Sequence, residues 1–518
     1  MKVRLLHPDR DAELHAPLSD GDEDLVADLD LTAVLDVMIP DRQLSDIPRT
    51  VLRPLTDPRE IRWRQQVAAD AIADPAAMRG LFDLAGRALE SQRGSWMYSA
   101  RTADSLLSSS LFALNAVIPS MRELARVARR QLPTAISPGL TALYERLIEE
   151  LDATYLDEVE AMLSQLRFPG GMVAQAVVTG TAMVGALELL APRTGRRTWR
   201  ETLGLGVQGR FRFTIAERDD AGARALSELR DDALFDVSTV LAEAAHHVKS
   251  FFRQLQWETG FYVGCVQLQQ RLDSAGVQRC WPEPLTSTDG ILETTGLVNM
   301  SLPVRLGAPP VPNDISGDAP RLVIVTGANQ GGKTTLLRSI GCAQLFMQSG
   351  LFVAAATYRS ELAPAVHTHF RRAEEDSLRS GKLDEELGRM SGIVDRCRSG
   401  DLVLMNESFA STDEIEGSYI GGEIIDALLR HGMRVLVVTH FHALARHYLD
   451  RQGTLFLRAE RLPDGGRSFR VLPDTPQATS HGVDVYAKVF GDQQSDGSAV
   501  GDARTPPGEA DPAQRRRA

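Results

Sequence analysis

Gly327-Ala328-Asn329-Gln330-Gly331-Gly332-Lys333-Thr334 is the stretch that decides how this 518-residue chain is read. It meets the phosphate-binding pattern G-x-x-x-x-G-K-[ST] at every position. Before it, Arg321-Leu322-Val323-Ile324-Val325-Thr326 predicts a buried strand. After it, Thr335 to Met347 carries apolar residues at helical spacing. The glycines let the backbone wrap closely around phosphate oxygens with its N–H groups pointing inward. The N-terminus of the following helix adds partial positive charge. Lys333 is placed to reach the β- and γ-phosphates, and the Thr334 hydroxyl to ligate Mg²⁺. The only lysines are Lys2, Lys249, Lys333, Lys382 and Lys488. A chain that otherwise uses arginine keeps a compact point charge where a phosphate wants one. The alternative, a glycine-rich turn with a chance lysine, does not account for the correct flanking elements.

Two further apolar runs follow. Asp401-Leu402-Val403-Leu404-Met405-Asn406-Glu407 predicts a second strand that ends in polar residues. A P-loop protein places its second Mg²⁺-linked group and the carboxylate that polarises the attacking water at such an end. Glu407 is the candidate general base. Asn406 stands where an Asp is usual, so it can bond a metal-bound water but adds no charge. Arg434-Val435-Leu436-Val437-Val438-Thr439 predicts a third strand, ending at His440, a candidate γ-phosphate contact. α/β sheets bind ligands at the carboxyl ends of their strands. A strand with a polar turn and a structural histidine are the plainer alternatives for the last two.

Taken together the motifs resemble the MutS family of DNA mismatch repair ATPases. Thr326 to Thr335 is similar to that family's T-G-x-N-x-G-G-K-[ST] loop, and Glu407-Ser-Phe-Ala-Ser-Thr412 with Gly417 to the segment after its second nucleotide motif. Val438-Thr439-His440-Phe441 resembles its switch-histidine motif, and Thr479-Ser480-His481-Gly482 its C-terminal S-Y-G element with His for Tyr. The resemblance implies ATP and Mg as cofactors. Gly327, Asn329, Gly331, Gly332, Lys333, Thr334 and Thr335 would hold the phosphates, Thr334 and Asn406 the metal, and Glu407, His440 and Lys333 would carry the chemistry. Val311 and Asn313 resemble the segment that packs on adenine. The family in turn resembles ABC-type ATPases, in which one subunit supplies the P-loop and the other a signature segment. Ser380 and Gly381, within Glu374 to Lys382, are the candidates for that role in trans; a solvated charged loop is the alternative. A homodimer that grips DNA is the implied assembly.

The formal net charge of −12 argues against a wholly basic nucleic-acid binder. It leaves room for local patches. Arg122, Arg126, Arg129 and Arg130 recur at helical spacing; Arg193, Arg196, Arg197, Arg200, Arg210 and Arg212 cluster with Trp199, Phe211 and Phe213. Each is read as a solvated, salt-bridged face or a phosphate track. The start of the chain has no apolar run for a signal peptide. Cys265, Cys280, Cys342 and Cys397 lie far apart, as reduced thiols of a cytoplasmic protein would. Met172 to Pro192 is the one membrane-like stretch. Its polar interruptions predict a buried helix or a strand pair, and no membrane partner is expected.

The expected fold class is multidomain: a mostly α-helical lever domain followed by an α/β P-loop ATPase domain of the ABC type. Residues 1–45 read as an N-terminal arm, 46–285 as the helical domain, 286–490 as the ATPase domain and 491–518 as a disordered tail. Thr56 or Asp57 caps a helix that has Pro58 in its first turn, and Arg218 to Leu272 reads as long helices. The lever pattern begins near residue 46, which leaves no room ahead of it for the mismatch-reading and connector domains of bacterial repair members. The DNA clamp, confined between about 165 and 220, is expected to be shortened or replaced. The function expected is an ATP-hydrolysing, DNA-binding protein of repair or recombination. The alternatives are a nucleotide-driven protein clamp or scaffold, and a nucleotide-binding structural protein with little turnover.

Overall fold

The computed structural model describes residues 1–15, 17–93, 102–168, 174–178, 184–189, 220–286, 290–316, 320–372, 381–463 and 466–477. Helices α1 (Asp22–Asp28) and α2 (Thr32–Val37) lead into a helical body of α3 (Pro58–Ala73), α4 (Pro75–Ser91), α5 (Ala103–Gln131), α6 (Pro138–Glu150) and α7 (Ala153–Gln165). Strands β1 (Ala174–Val178) and β2 (Val184–Leu189) come next, then α8 (Asp220–Ser274). The helix starts follow local chemistry. Asp57 caps α3 by accepting the Arg59 N–H at 2.8 Å, with Pro58 in the first turn. Asp74, Ser137 and Asp152 cap α4, α6 and α7 in the same way.

The 55 residues of α8 form one unbroken helix, roughly 80 Å long. Helices α4 and α5 pack along it. Gly264 on α8 admits the end of α2: a Cβ there would lie 2.2 Å from the Met38 carbonyl oxygen. Residues 1–45, read as an arm, contribute a segment threaded into this body. Val3, Leu5 and Leu6 are buried in the main core. Glu258 of α8 accepts the Leu5 and Leu6 N–H groups at 2.6 and 2.8 Å, and Tyr262 donates its hydroxyl to the Leu5 carbonyl at 2.8 Å. The apolar stretch from 172 to 192 contains the antiparallel pair β1–β2, with Gln175 opposite Glu188. The rest of the clamp region, the Arg193–Arg212 cluster and the tail lie outside the described residues. Among the described residues no helix is long and apolar enough to cross a membrane.

The α/β part runs β3 (Glu283–Leu285), β4 (Leu292–Leu297), α9 (Ser301–Leu306), β5 (Asn313–Ile315), β6 (Leu322–Gly327), α10 (Lys333–Gln348), β7 (Thr357–Glu361) and β8 (Val366–Phe370). It continues α11 (Lys382–Arg396), β9 (Leu402–Asn406), α12 (Glu414–Arg430), β10 (Arg434–Val438), α13 (His442–His447), β11 (Thr454–Arg461) and β12 (Arg467–Pro473). The main sheet has the order β12-β11-β6-β10-β9-β8, parallel except for β12. A smaller sheet has the order β3-β7-β4-β5. Strands β9 and β10 are buried throughout, which explains their nearly unbroken apolar sequence.

Alternation splits the main sheet between two cores. Val323, Val325, Leu402, Leu404, Leu436 and Val438 face α10 in a core continuous with the helical body. Leu322, Ile324, Val403, Met405, Val435 and Val437 face the other way, towards α11, α12 and α13. A buried amide pair joins the two parts. Gln348, at the end of α10, donates to the carbonyls of Leu55 (2.8 Å) and Ala363 (2.7 Å) and accepts the Ala363 N–H (3.0 Å). Gln344 bonds Gln348 at 2.6 Å. The helix that starts at the glycine-rich loop therefore ends bonded to the segment that opens α3.

Candidate nucleotide site

Strand register gathers the predicted residues. Val438 stands level with Val325 on one side and with Asn406 on the other. One step further along, Thr326 and Gly327 end β6 beside Thr439 and His440, which follow β10, and Glu407, which follows β9. This is the carboxyl edge of three adjacent parallel strands, where an α/β sheet receives ligands.

The loop at this edge has a constrained backbone. Gly332, the residue before α10, has φ 95°, and a Cβ there would lie 3.1 Å from the Phe469 carbonyl. Gly327 and Gly331 face Ala459 of β11. Lys333 is buried; its Nζ donates to the carbonyls of Gly327 (2.8 Å) and Ala328 (3.1 Å) and lies 3.5 Å from Asn329 Oδ1. Burial holds its ammonium below the ordinary lysine range; the Glu407 carboxylate pulls the other way, and Arg467 adds to the lowering. Thr335, half-buried, sits in the first turn of α10.

Thr334 Oγ1 donates to Asn406 Oδ1 at 2.9 Å, so the two metal candidates meet. Both offer uncharged oxygen, a donor type that suits Mg²⁺ when water and phosphate complete its shell. Glu407 has φ 50°, in the left-handed region, and its N–H donates to the Val438 carbonyl at 2.8 Å. Arg371 Nη1 lies 4.0 Å from Glu407 Oε2. His440 is exposed, its ring 4.7 Å from that of Phe441. Asn313 ties β5 to β12: Oδ1 accepts the Val471 N–H at 2.7 Å and Nδ2 donates to the Phe469 carbonyl at 3.3 Å. Val311 is exposed. Gly381 precedes α11, and among the described residues no atom lies within 4 Å of an added Cβ. Ser380, Glu374 to Arg379 and Thr479 to Gly482 lie outside the described residues.

Three further side chains at the site are not singled out by the motifs around the loop. His369 on β8 bonds Ser408 Oγ through Nδ1 at 2.7 Å and the Glu386 carbonyl through Nε2 at 3.0 Å. A carbonyl only accepts, so Nε2 carries the proton; the Ser408 hydroxyl lies between Nδ1 and the His369 carbonyl, to which it donates at 3.0 Å. Ser408 is thereby held between Glu407 and Phe409, both at positive φ. Burial pushes His369 down to about 4. Arg371 follows β8 as Glu407 follows β9, and that parallel was the signal available. Arg467 donates to the Asn329 carbonyl at 3.2 Å from the antiparallel strand β12, which nothing near the loop in sequence announces. Of the helical arginines, Arg122 is engaged by Asp157 (2.7 Å) and Glu160 (2.8 Å), while Arg126, Arg129 and Arg130 are exposed.

Residues 56–275 match the family model of the MutS2 N-terminal domain, and residues 323–490 that of MutS domain V. The putative endonuclease MutS2 of Bacillus subtilis is 27% identical over 251 residues, covering 46% of this chain and 32% of that protein. The endonuclease MutS2 of Thermus thermophilus is 35% identical over 135 residues, 26% of this chain and 18% of that protein. The DNA mismatch repair protein MutS of Treponema pallidum is 28% identical over 248 residues, 45% of this chain and 27% of that protein. The chain thus spans about a third or less of each of these relatives. The two domain matches are consecutive, together cover well over half of the chain, and coincide with its helical and α/β parts, and no mismatch-binding domain is matched within residues 1–518. This chain belongs to the MutS family.

Proposed function

We propose that the chain binds ATP with Mg²⁺ at the loop from Gly327 to Thr335, hydrolyses it, and couples its nucleotide state through the helical body to DNA as a homodimer. The observation that carries this reading is the meeting of Lys333 and Thr334, at the start of α10, with Asn406 and Glu407, at the end of β9, with Thr334 Oγ1 and Asn406 Oδ1 at 2.9 Å. Lys333 and the loop N–H groups bind phosphate oxygens. Bound Mg²⁺ would neutralise phosphate charge, and Thr334 and Asn406 are the residues that would hold it or its waters. Glu407 orients the attacking water and takes its proton. His440, one strand over, faces the γ-phosphate position. Asn313 and Val311 flank the base. Gly381 and Ser380 act on the partner's nucleotide, as in the ABC-type arrangement. The amide bonds of Gln348 support transmission, since α10 runs from the loop to the joint with α3.

DNA enters this reading through the name of the Treponema relative and through the exposed arginines of α5. ATP turnover, measured with and without a panel of DNA structures at several salt concentrations, tests it. Turnover with DNA binding that falls steeply with salt is the expected result. Turnover without DNA binding would replace it with a nucleotide-driven protein clamp or scaffold. The neutral Asn406 favours one further reading, a nucleotide-binding structural protein; binding without hydrolysis would select it.

A further inference from the structure

At the end of the main sheet opposite the nucleotide loop, a cleft of about 870 Å³ is lined by His367, Cys397 and Asp401 together with Asp22 and three arginines of the α11 region. His367 comes from the start of β8, Cys397 from the residue that ends α11, and Asp401 from the residue before β9. Their ligand atoms all lie within 4.8 Å of one another. His367 Nε2 is 2.9 Å from Asp401 Oδ2. The Asp401 side chain is 1% exposed and that of His367 11%. We propose that His367, Cys397 and Asp401 form a binding site for a transition-metal dication of the Zn²⁺ type.

The donor set selects the ion. One imidazole, one thiolate and one carboxylate suit Zn²⁺, whereas Mg²⁺ and Ca²⁺ take oxygen ligands only. Bond lengths of about 2.0–2.3 Å put tetrahedral ligand atoms roughly 3.3–3.6 Å apart. The His–Asp pair therefore opens by a few tenths of an ångström, and Cys397 closes by up to about one. The carboxylate is already oriented from behind: Ala365 N–H bonds Oδ1 at 3.0 Å and Arg398 N–H bonds Oδ2 at 2.8 Å. Charge also closes. Arg389, Arg396 and Arg398 line the cleft and would repel a bare cation. A dication with one thiolate and one carboxylate is neutral. On binding, the Cys397 thiol proton leaves to solvent, and the proton between His367 and Asp401 moves to Nδ1 or leaves, so the metal takes its place. Water from the cleft completes the fourth position. The bound ion pins the end of α11 to the starts of β8 and β9. This proposal is independent of the ATPase reading.

The test uses the full chain, stripped with a chelator and titrated with Co²⁺ as a spectroscopic probe. One equivalent should produce a thiolate-to-cobalt band in the near ultraviolet, displaced by Zn²⁺, and should raise the thermal midpoint. Cys397→Ser should remove the band and weaken Co²⁺ binding at least ~10-fold. His367→Gln, which keeps a donor for Asp401, should weaken it comparably. Cys280→Ser, at the other half-buried thiol, should leave the band and the binding unchanged. No band in the unaltered chain, or a band that survives Cys397→Ser, overturns the proposal.

Discussion

Lys333→Ala probes the nucleotide loop most directly. In the structure Lys333 is 4% exposed and its ammonium donates to two loop carbonyls, at 2.8 and 3.1 Å. On nucleotide binding it would exchange those acceptors for phosphate oxygens. A hydrogen bond from a charged donor is worth about 1.5–3 kcal/mol, or roughly 10–150-fold in affinity. The substitution also strips a donor from Gly327 and Ala328 in the free loop, which raises the energy of the empty state. The affinity loss should therefore fall in the lower part of that range, about 10–30-fold. Turnover should fall further, because charge that develops during phosphoryl transfer is met only in the transition state. Titration with a fluorescent ATP analogue gives the first number and phosphate release the second, with circular dichroism checking the fold. An affinity within about 3-fold of the parent and unchanged turnover, in a folded protein, would refute the assignment of this loop.

Two predictions concern stability. Burial pushes the imidazoles of His7 and His369 down to about 4, so the unfolded chain takes up more protons than the folded one below its ordinary histidine range, near 6.5. Stability should be fully present above that value and fall as pH drops towards 4, by up to about 3 kcal/mol per ring; denaturant midpoints across this window should show a flatter acid limb in His369→Phe, and an unchanged limb would count against it. Gly264→Ala should cost about 1–3 kcal/mol and lower the thermal midpoint by several degrees, because α8 and the end of α2 must separate. Gly388→Ala on α11, where a Cβ meets nothing within 4 Å among the described residues, is the matched control, and equal midpoints for the two variants would sink the close-approach argument.

What the sequence made legible was local. The loop, the strands before Gly327, Glu407 and His440, and the Asp57 cap each rest on a few consecutive residues whose chemistry admits few conformations. The 2.0 alternation within those strands even assigns residues to faces, although two faces buried in different cores erase the polar contrast that would advertise it. What stayed hidden depends on contacts between distant residues. Leu5 and Leu6 are unremarkable in sequence, yet they bond Glu258 and Tyr262, some 250 positions away. Arg467 reaches the loop only because β12 turns back beside β11. His369 resembles any strand histidine until Ser408 and Glu386 are seen on its two nitrogens. Gln344 and Gln348 look like surface amides on a helix, and burial by the segment around Leu55 makes them a joint.

Asn406→Asp tests the residue that the sequence reading places where an Asp is usual. The Asn406 amide oxygen accepts the Thr334 hydroxyl at 2.9 Å, and an aspartate would keep that acceptor in place while adding a negative charge. Charge count in the ligand set is a principal control of affinity for hard cations, so the Mg²⁺ midpoint for ATP hydrolysis should fall, by about 10-fold. Turnover at saturating Mg²⁺ need not follow. The new carboxylate sits next to Glu407, whose described counter-charges are Arg371 at 4.0 Å and the electrostatic pull of Lys333. Repulsion there can draw Glu407 away from the attacking water, and the left-handed backbone at Glu407 leaves little freedom to compensate. Two readouts separate these effects: the Mg²⁺ midpoint reports the metal, and the plateau rate reports the base. A lower midpoint with a higher plateau means that the neutral amide limits both. A lower midpoint with a lower plateau means that the loop around Glu407 has adapted to Asn406. A midpoint that is unchanged or higher would show that Asn406 does not limit metal affinity, and the argument from its missing charge would fail.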